Sequence, residues 1–331
     1  AVVAPPSSSA MGGPGNIATL SLTRCIAAVL TAFATAGAGA QAPPVETVLE
    51  EITVLGKRAE PLAQAAATVT VIDREAIETA LATDLQGLVR HEPAITVGAD
   101  PHRFGAGGPN LRGLGGNRVL LETDGVPAPS AYAVGRVSNT GRRFAEADLI
   151  ERVEILHGPA SSLYGSDALG GVVATTTRDP ASLLGAEDFV ANMRAGYSGQ
   201  DDGHHAAVTL AGRRRELAGL LALGRREAGA VDIESDAARP NPRDSVGDFV
   251  FLRGVHEDLG RPLRLTLSWN RERAHTRVDS LLLSPGAFAN TVDMRGDDRY
   301  ETGRLVLDQP AAAWGRLEHV EWRLYVQDMT V

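Results

Sequence analysis

Few residues in this 331-residue chain have the types and spacing that a reactive centre would need. Its only cysteine is Cys25. Gly113 and Gly115 are followed by Arg118, where a dinucleotide fingerprint requires a third glycine. Gly158-Pro159-Ala160-Ser161 lacks the spacing of a nucleophile elbow. His204-His205 has no carboxylate-bearing helix with which to form a zinc motif and reads as a loop pair. The Gly-rich stretch from Gly98 to Pro109 contains an isolated imidazole, His102. A lone neutral imidazole is suited to ligating a metal and does not by itself make a catalytic centre. The chain therefore reads as a non-enzyme. Its net charge of −9 and pI near 5.4 argue against nucleic acid as a partner.

The elements that would position these residues fall into blocks. Residues 1–40 read as a leader and signal peptide. Arg24 gives a positive flank, Cys25–Ala36 is small and apolar, and Ala38-Gly39-Ala40 is a small-x-small cleavage site before Gln41. The mature chain then has no cysteine, and neither a disulfide nor thiol chemistry is open to it. Residues 41–61 form a Pro-containing linker that carries the β-prone run Glu50-Glu51-Ile52-Thr53-Val54-Leu55.

From 62 to 182 short strands and helices alternate, as expected of a compact α+β domain. Val69–Ile72 is a strand, Asp73 caps a helix through Ala80, and Thr83 with Gln86 has capping-box spacing for a second helix that Pro93 ends. Val119–Leu121 is a buried strand before the turn signal Asp124-Gly125, a long loop runs from Pro127 to Ala145, and Val153–Leu156 and Val172–Thr177 are further strands.

Beyond Pro180 the period becomes two. Leu263–Asn270 and Val320–Gln327 alternate strictly, Phe249 and Phe251 lead a similar segment, and Leu217–Leu223 is apolar on both faces. Such strands place apolar residues on one face, toward lipid in a membrane barrel or toward a core in a sandwich.

Three segments decide between these. VTVIDREAIETALATDLQGLVRHEPAITV from Val69, NLRGLGGNRVLLETDGVP from Asn110, and IERVEILHGPASSLYGSDALGGVVATTTRDP from Ile150 together resemble the plug domain of TonB-dependent outer-membrane receptors. The resemblance covers roughly 50–180 and is strongest to the haem/haemoglobin branch. It implies an α+β plug domain followed by antiparallel all-β transmembrane barrel strands from 183 to 331, in the outer membrane of a Gram-negative bacterium.

It also implies a TonB box at Glu50, Glu51, Ile52, Thr53, Val54 and Leu55, where an energy-transducing TonB protein would add to an extended strand. Arg112 and His157 stand where family plugs place arginines that meet barrel carboxylates; histidine at the second position makes that anchor weaker or pH-sensitive. His102, Arg103, Phe104 and Tyr132 are the ligand-binding candidates, with His102 on haem iron and Phe104 packing on the porphyrin. Haem would be transported cargo, with no covalently bound cofactor; a haem protein, a siderophore or cobalamin are the alternatives. The ten or so residues between Gln41 and the box leave no room for a periplasmic signalling domain.

The sequence from Leu183 to Val331 supplies five to seven strand candidates, against about 22 for a plugged barrel. The chain thus reads as an N-terminal fragment, expected not to transport alone. A degenerate, non-transporting binding protein is the rival reading.

Overall fold

The computed structural model describes residues 52–53, 60–61, 68–82, 84–97, 108–129, 132–134, 138–140, 146–199, 201–229, 243–258, 263–279, 293–310 and 319–330. All belong to one unit that starts at Glu50. Residues 1–40, read from the sequence as leader and signal peptide, together with Glu50, Glu51, Val54, Leu55 and the candidates His102, Arg103 and Phe104, lie outside the described residues.

Within the linker, β1 (Ile52–Thr53) pairs antiparallel with β2 (Glu60–Pro61). β3 (Thr68–Ile72) leads into α1 (Arg74–Thr79), whose first turn is capped by Asp73 through a 2.8 Å hydrogen bond from the Ala76 N–H. α2 (Leu85–Leu88) is capped by Asp84, which accepts from Gly87 N–H at 2.7 Å. The helix begins one residue later than the capping-box spacing predicts, because the Asp84 carboxylate takes the capping role. It also ends well short of Pro93.

β4 (Ile95–Val97) pairs with β5 (Pro109–Leu111). β6 (Val119–Thr123) and β7 (Val126–Pro127) form a hairpin. The predicted long loop contains a second one, β8 (Tyr132–Val134) with β9 (Ser138–Thr140). β10 (Ile150–His157), α3 (Ser161–Tyr164), β11 (Gly171–Thr177) and α4 (Pro180–Leu184) complete the domain. Its main sheet has the order β3-β10-β11-β6-β7, with only the β11–β6 pair parallel.

Alternation along the central strands builds a core on each face. Val119, Leu121, Val153, Ile155 and Val173 pack with Ile77 of α1 and Leu85 and Leu88 of α2. Leu120, Leu156 and Val172 pack against Ala160 and Ala168 of the Gly-rich return. Gly171 starts β11 at φ +144°, where a Cβ would run into the Leu156 carbonyl oxygen and the Leu111 side chain. Only glycine closes that approach.

Seven strands follow: β12 (Phe189–Ser198), β13 (Gly203–Arg214), β14 (Leu217–Ala228), β15 (Arg243–Asp258), β16 (Leu263–Asp279), β17 (Asp293–Pro310) and β18 (His319–Thr330). They pair in chain order, all antiparallel, in a sheet that does not close among the described residues. Each is at least as long as the 9–11 residues that cross a bilayer as a tilted strand.

The register separates two faces. One row runs Ala191, Leu210, Leu221, Leu252, Trp269, Gly303, Val326, and the next runs Phe189, Gly212, Gly219, Gly254, Leu267, Leu305, Leu324. This face is apolar yet open: Leu267 is 60% and Leu324 68% exposed. The band stops where Val250 meets Arg271, Glu301 and Asp328. The opposite face carries Thr209, Ala222, Phe251, Asn270, Thr302 and Gln327 in one row. Phe249 and Phe251 lie on this inner face and are buried against the α+β domain, so their alternation marks core.

Candidate functional site

The inner face of the sheet is fastened to the α+β domain at a two-residue turn. Thr123 pairs with Val126, leaving Asp124 and Gly125 as the loop between β6 and β7. Both have positive φ, +51° and +72°, as a type I′ hairpin turn requires. A Cβ on Gly125 would overlap the guanidinium of Arg323 from β18, so glycine serves both the turn and the close approach.

Asp124 projects from this turn into a nest of donors. Its Oδ1 accepts from Thr177 N–H at 2.9 Å, and its Oδ2 accepts from Thr177 Oγ1 at 2.6 Å. The same Oδ2 meets Arg253 Nη2 at 2.6 Å and Arg304 Nη1 at 3.0 Å, from β15 and β17. Arg253 also donates through Nη1 to the carbonyls of Thr177 (3.0 Å) and Arg178 (2.8 Å), contacts Thr177 Oγ1, and lies over the Phe251 ring at 5.1 Å. Only 4% of its side chain is exposed, and 10% of Asp124's.

Burial alone would raise the Asp124 pKa. The charges of Arg253 and Arg304 and the hydrogen bonds from Thr177 outweigh it and hold the carboxyl below its usual range.

Around this centre the sheet supplies further cations to the domain. Arg264 reaches Asp179, the cap of α4, at 2.5 Å; Arg194 reaches Asp148 at 3.1 Å; and Arg213 donates to the Glu187 carbonyl at 3.1 Å. Leu149 and Leu183 pack with Ala207, Leu220, Ala222, Phe249 and Phe251 of the sheet. A cavity of about 50 Å³ adjoins Asp124, lined by Thr177, Ser268, Asn270, Thr302 and Arg304 among others. Among the described residues no group of three or more His, Cys, Asp or Glu side chains is placed to hold a metal ion. The arrangement ties the seven-stranded sheet to the α+β domain.

The predicted anchors lie elsewhere. Arg112 is exposed in the turn after β5, at φ +51°, with its N–H donating to the Ala94 carbonyl. His157 ends β10, its Nε2 3.0 Å from Thr70 Oγ1. Burial and the nearby Arg112 charge hold the imidazole below its ordinary pKa. Neither residue makes a hydrogen bond or ion pair to the seven-stranded sheet among the described residues. Tyr132 is placed by its backbone in β8. His204 and His205 are not in a loop: both lie in β13, and the pleat sends them to opposite faces, His204 beside the Tyr197 ring at 5.0 Å.

Sequence reasoning treated Asp124 as a turn residue and passed over Arg253. The available signal was its phase, since Arg253 continues the inward set Phe249, Phe251. An inward arginine among buried aromatics needs an acidic partner.

Residues 61–172 match the family model for the TonB-dependent receptor plug domain. The chain is 31% identical to the hemin receptor of Yersinia enterocolitica over 179 residues, covering 52% of this chain and 24% of that protein. It is also 31% identical to the vitamin B12 transporter BtuB of Vibrio vulnificus over 167 residues, 50% of this chain and 26% of that one. The chain thus spans about a quarter of each of these relatives. In fold, it is similar to the FrpB iron transporter from Neisseria meningitidis (F5-1 variant), with a TM-score of 0.59 at 17% identity over 78% of this chain and 40% of that one. Residues 61–172 thus match the TonB-dependent receptor plug domain, in a chain similar in sequence both to hemin receptors and to a vitamin B12 transporter.

Proposed function

We propose that this chain contributes the plug and the first strands of the wall to an outer-membrane receptor for TonB-dependent uptake of an iron-containing ligand, with haem as the cargo. The observation that carries the reading is the two-sidedness of the seven-stranded sheet. One face is an exposed apolar band, as lipid contact requires, and the other is polar and bolted to a plug domain. A secreted sandwich would bury that apolar face instead. TonB would pair with the extended segment at Ile52–Thr53, whose backbone is already in strand geometry.

Haem is favoured over other cargo by the relationship to hemin receptors, with His102 as an iron ligand and Arg103, Phe104 and Tyr132 beside it. Equal identity to a vitamin B12 transporter supports a cobalamin or siderophore cargo as the second reading. Haem titration of the complete receptor, followed by its Soret band, separates them. Binding that weakens or changes spectrum in His102→Ala supports the assignment. Unchanged affinity and spectrum remove His102, and no binding by the parent removes haem.

A further inference from the structure

We infer that Arg253 and Arg304 form a carboxylate-receiving site on the inner face of the wall, occupied at rest by the plug's own Asp124 and open to a carboxylate-bearing solute once the Asp124–Gly125 turn withdraws. The geometry is that of a receptor around a bound anion. Four donors converge on the two oxygens of one carboxylate: Thr177 N–H, Thr177 Oγ1, Arg253 Nη2 and Arg304 Nη1. The two cationic donors belong to the wall and the carboxylate belongs to the plug, so the site can part along that division.

Three features make the wall half persist as a binding site. Arg253 is fixed by the Phe251 face beneath it, a contact made within the wall itself. Arg323 adds a third guanidinium against the same turn, with Glu321 at 2.5 Å as its partner. The Nε–H groups of both Arg253 and Arg304 are buried with no acceptor among the described residues, leaving donors in reserve for a ligand with more oxygens than Asp124. Two guanidiniums this deeply placed are costly to leave uncompensated, so departure of Asp124 favours entry of another anion.

The turn is also the part of the plug sheet best suited to leave. It joins β6 to β7, a two-residue edge strand held by the pairs Glu122–Pro127 and Thr123–Val126. The adjoining cavity of about 50 Å³ has Ser268, Asn270, Thr302 and Arg304 on its walls, with the buried acid Glu272 also among its lining residues. Applied to transport, which rests on the function proposed above, the site would be a cationic foothold for an acidic cargo passing along the wall.

Chemical rescue tests the site without requiring transport. Asp124→Gly removes the carboxylate while keeping a residue that accepts φ +51°. The purified variant should melt at lower temperature than the parent, and sodium formate should restore most of that loss saturably, whereas sodium chloride at equal ionic strength should not. The parent, its site filled, should respond to the two salts alike, and Asp124→Gly/Arg304→Gln should lose the formate response. If Asp124→Gly folds too poorly to melt, refolding yield gives the same answer: recovery in formate alone supports the site, and equal yields in both salts overturn it. A formate response absent from the variant, or equal in variant and parent, likewise overturns it, with the transport reading left standing. Failed uptake by the complete receptor would have the opposite consequence.

Discussion

Removing both members of the Asp124–Arg253 pair should cost less than the sum of the two single removals. In Asp124→Asn, two guanidiniums lose their shared carboxylate in a site where the Arg253 side chain is 4% exposed and Arg304's 14%. Breaking a buried pair in this way costs about 3–5 kcal/mol, most of it the penalty of a stranded charge. Arg253→Met strands Asp124 less completely, because Arg304 and Thr177 remain, and it frees the Thr177 and Arg178 carbonyls. A loss of about 2–4 kcal/mol follows. The double variant carries one guanidinium in place of two without a partner, and its methionine can fill the space over Phe251. Its loss should fall short of the sum by about 1–3 kcal/mol, the range for residues in direct contact. Urea unfolding of the plug in the purified protein, followed by protease resistance of residues 62–182, measures all corners of the cycle. Single losses under about 1 kcal/mol that add within about 0.5 kcal/mol would refute the reasoning, placing the pair among surface bridges of little consequence.

Gly125→Ala should destabilise plug docking by about 1–3 kcal/mol, since alanine is strained at φ +72° and its Cβ displaces Arg323; a melting temperature equal to the parent's would contradict this. Asp124, with its folded pKa below the unfolded value near 4, contributes stability above that value and loses it as pH falls through the folded pKa. Variants lacking Asp124 should therefore be less stable than the parent above that range and show a shallower acid-dependent fall, read as protease sensitivity against pH. His157 acts with the same sign in a higher window: its lowered folded pKa leaves stability untouched above about pH 6.5 and erodes it as pH falls from there toward the folded value. His157→Gln should flatten that slope in a Tm series from pH 7.5 to 5. Val54→Pro removes an N–H that strand addition by TonB needs, so cargo binding by the complete receptor should survive while uptake fails; normal uptake would move the box, with Val45–Val48 as the next candidate.

The strands and helices were legible because local signals agree with the tertiary context. Asp73 caps α1 as its position predicts, and Asp124-Gly125 makes the two-residue turn that its residue types favour. The period of two identified the long strands, and the register confirms it in Leu265, Leu267 and Trp322, Leu324, Val326. Periodicity could not say which apolar set faces out. Phe249 and Phe251 have the same phase logic as Leu265 and Leu267, yet they pack on the plug, because that side of β15 is covered by Leu149 and Leu183.

The plug–wall contacts were the least legible. Arg253 and Asp124 are 129 residues apart, and nothing local to either announces the other. Arg112 and His157 stand out in the sequence through motif position, whereas the contacts present among the described residues come from arginines on the wall and acids on the plug. The β8–β9 hairpin escaped notice because its strands have only three residues each, too few for alternation to register.

The most direct test of the proposed function is energised uptake by the complete receptor. Cells lacking their own haem receptors would express it and be supplied with haem as the sole iron source. The account predicts haem-dependent growth and accumulation of radiolabelled haem iron that stop when the proton-motive force is collapsed. Accumulation that continues after collapse, or none with haem while another iron complex or cobalamin is taken up, would contradict it.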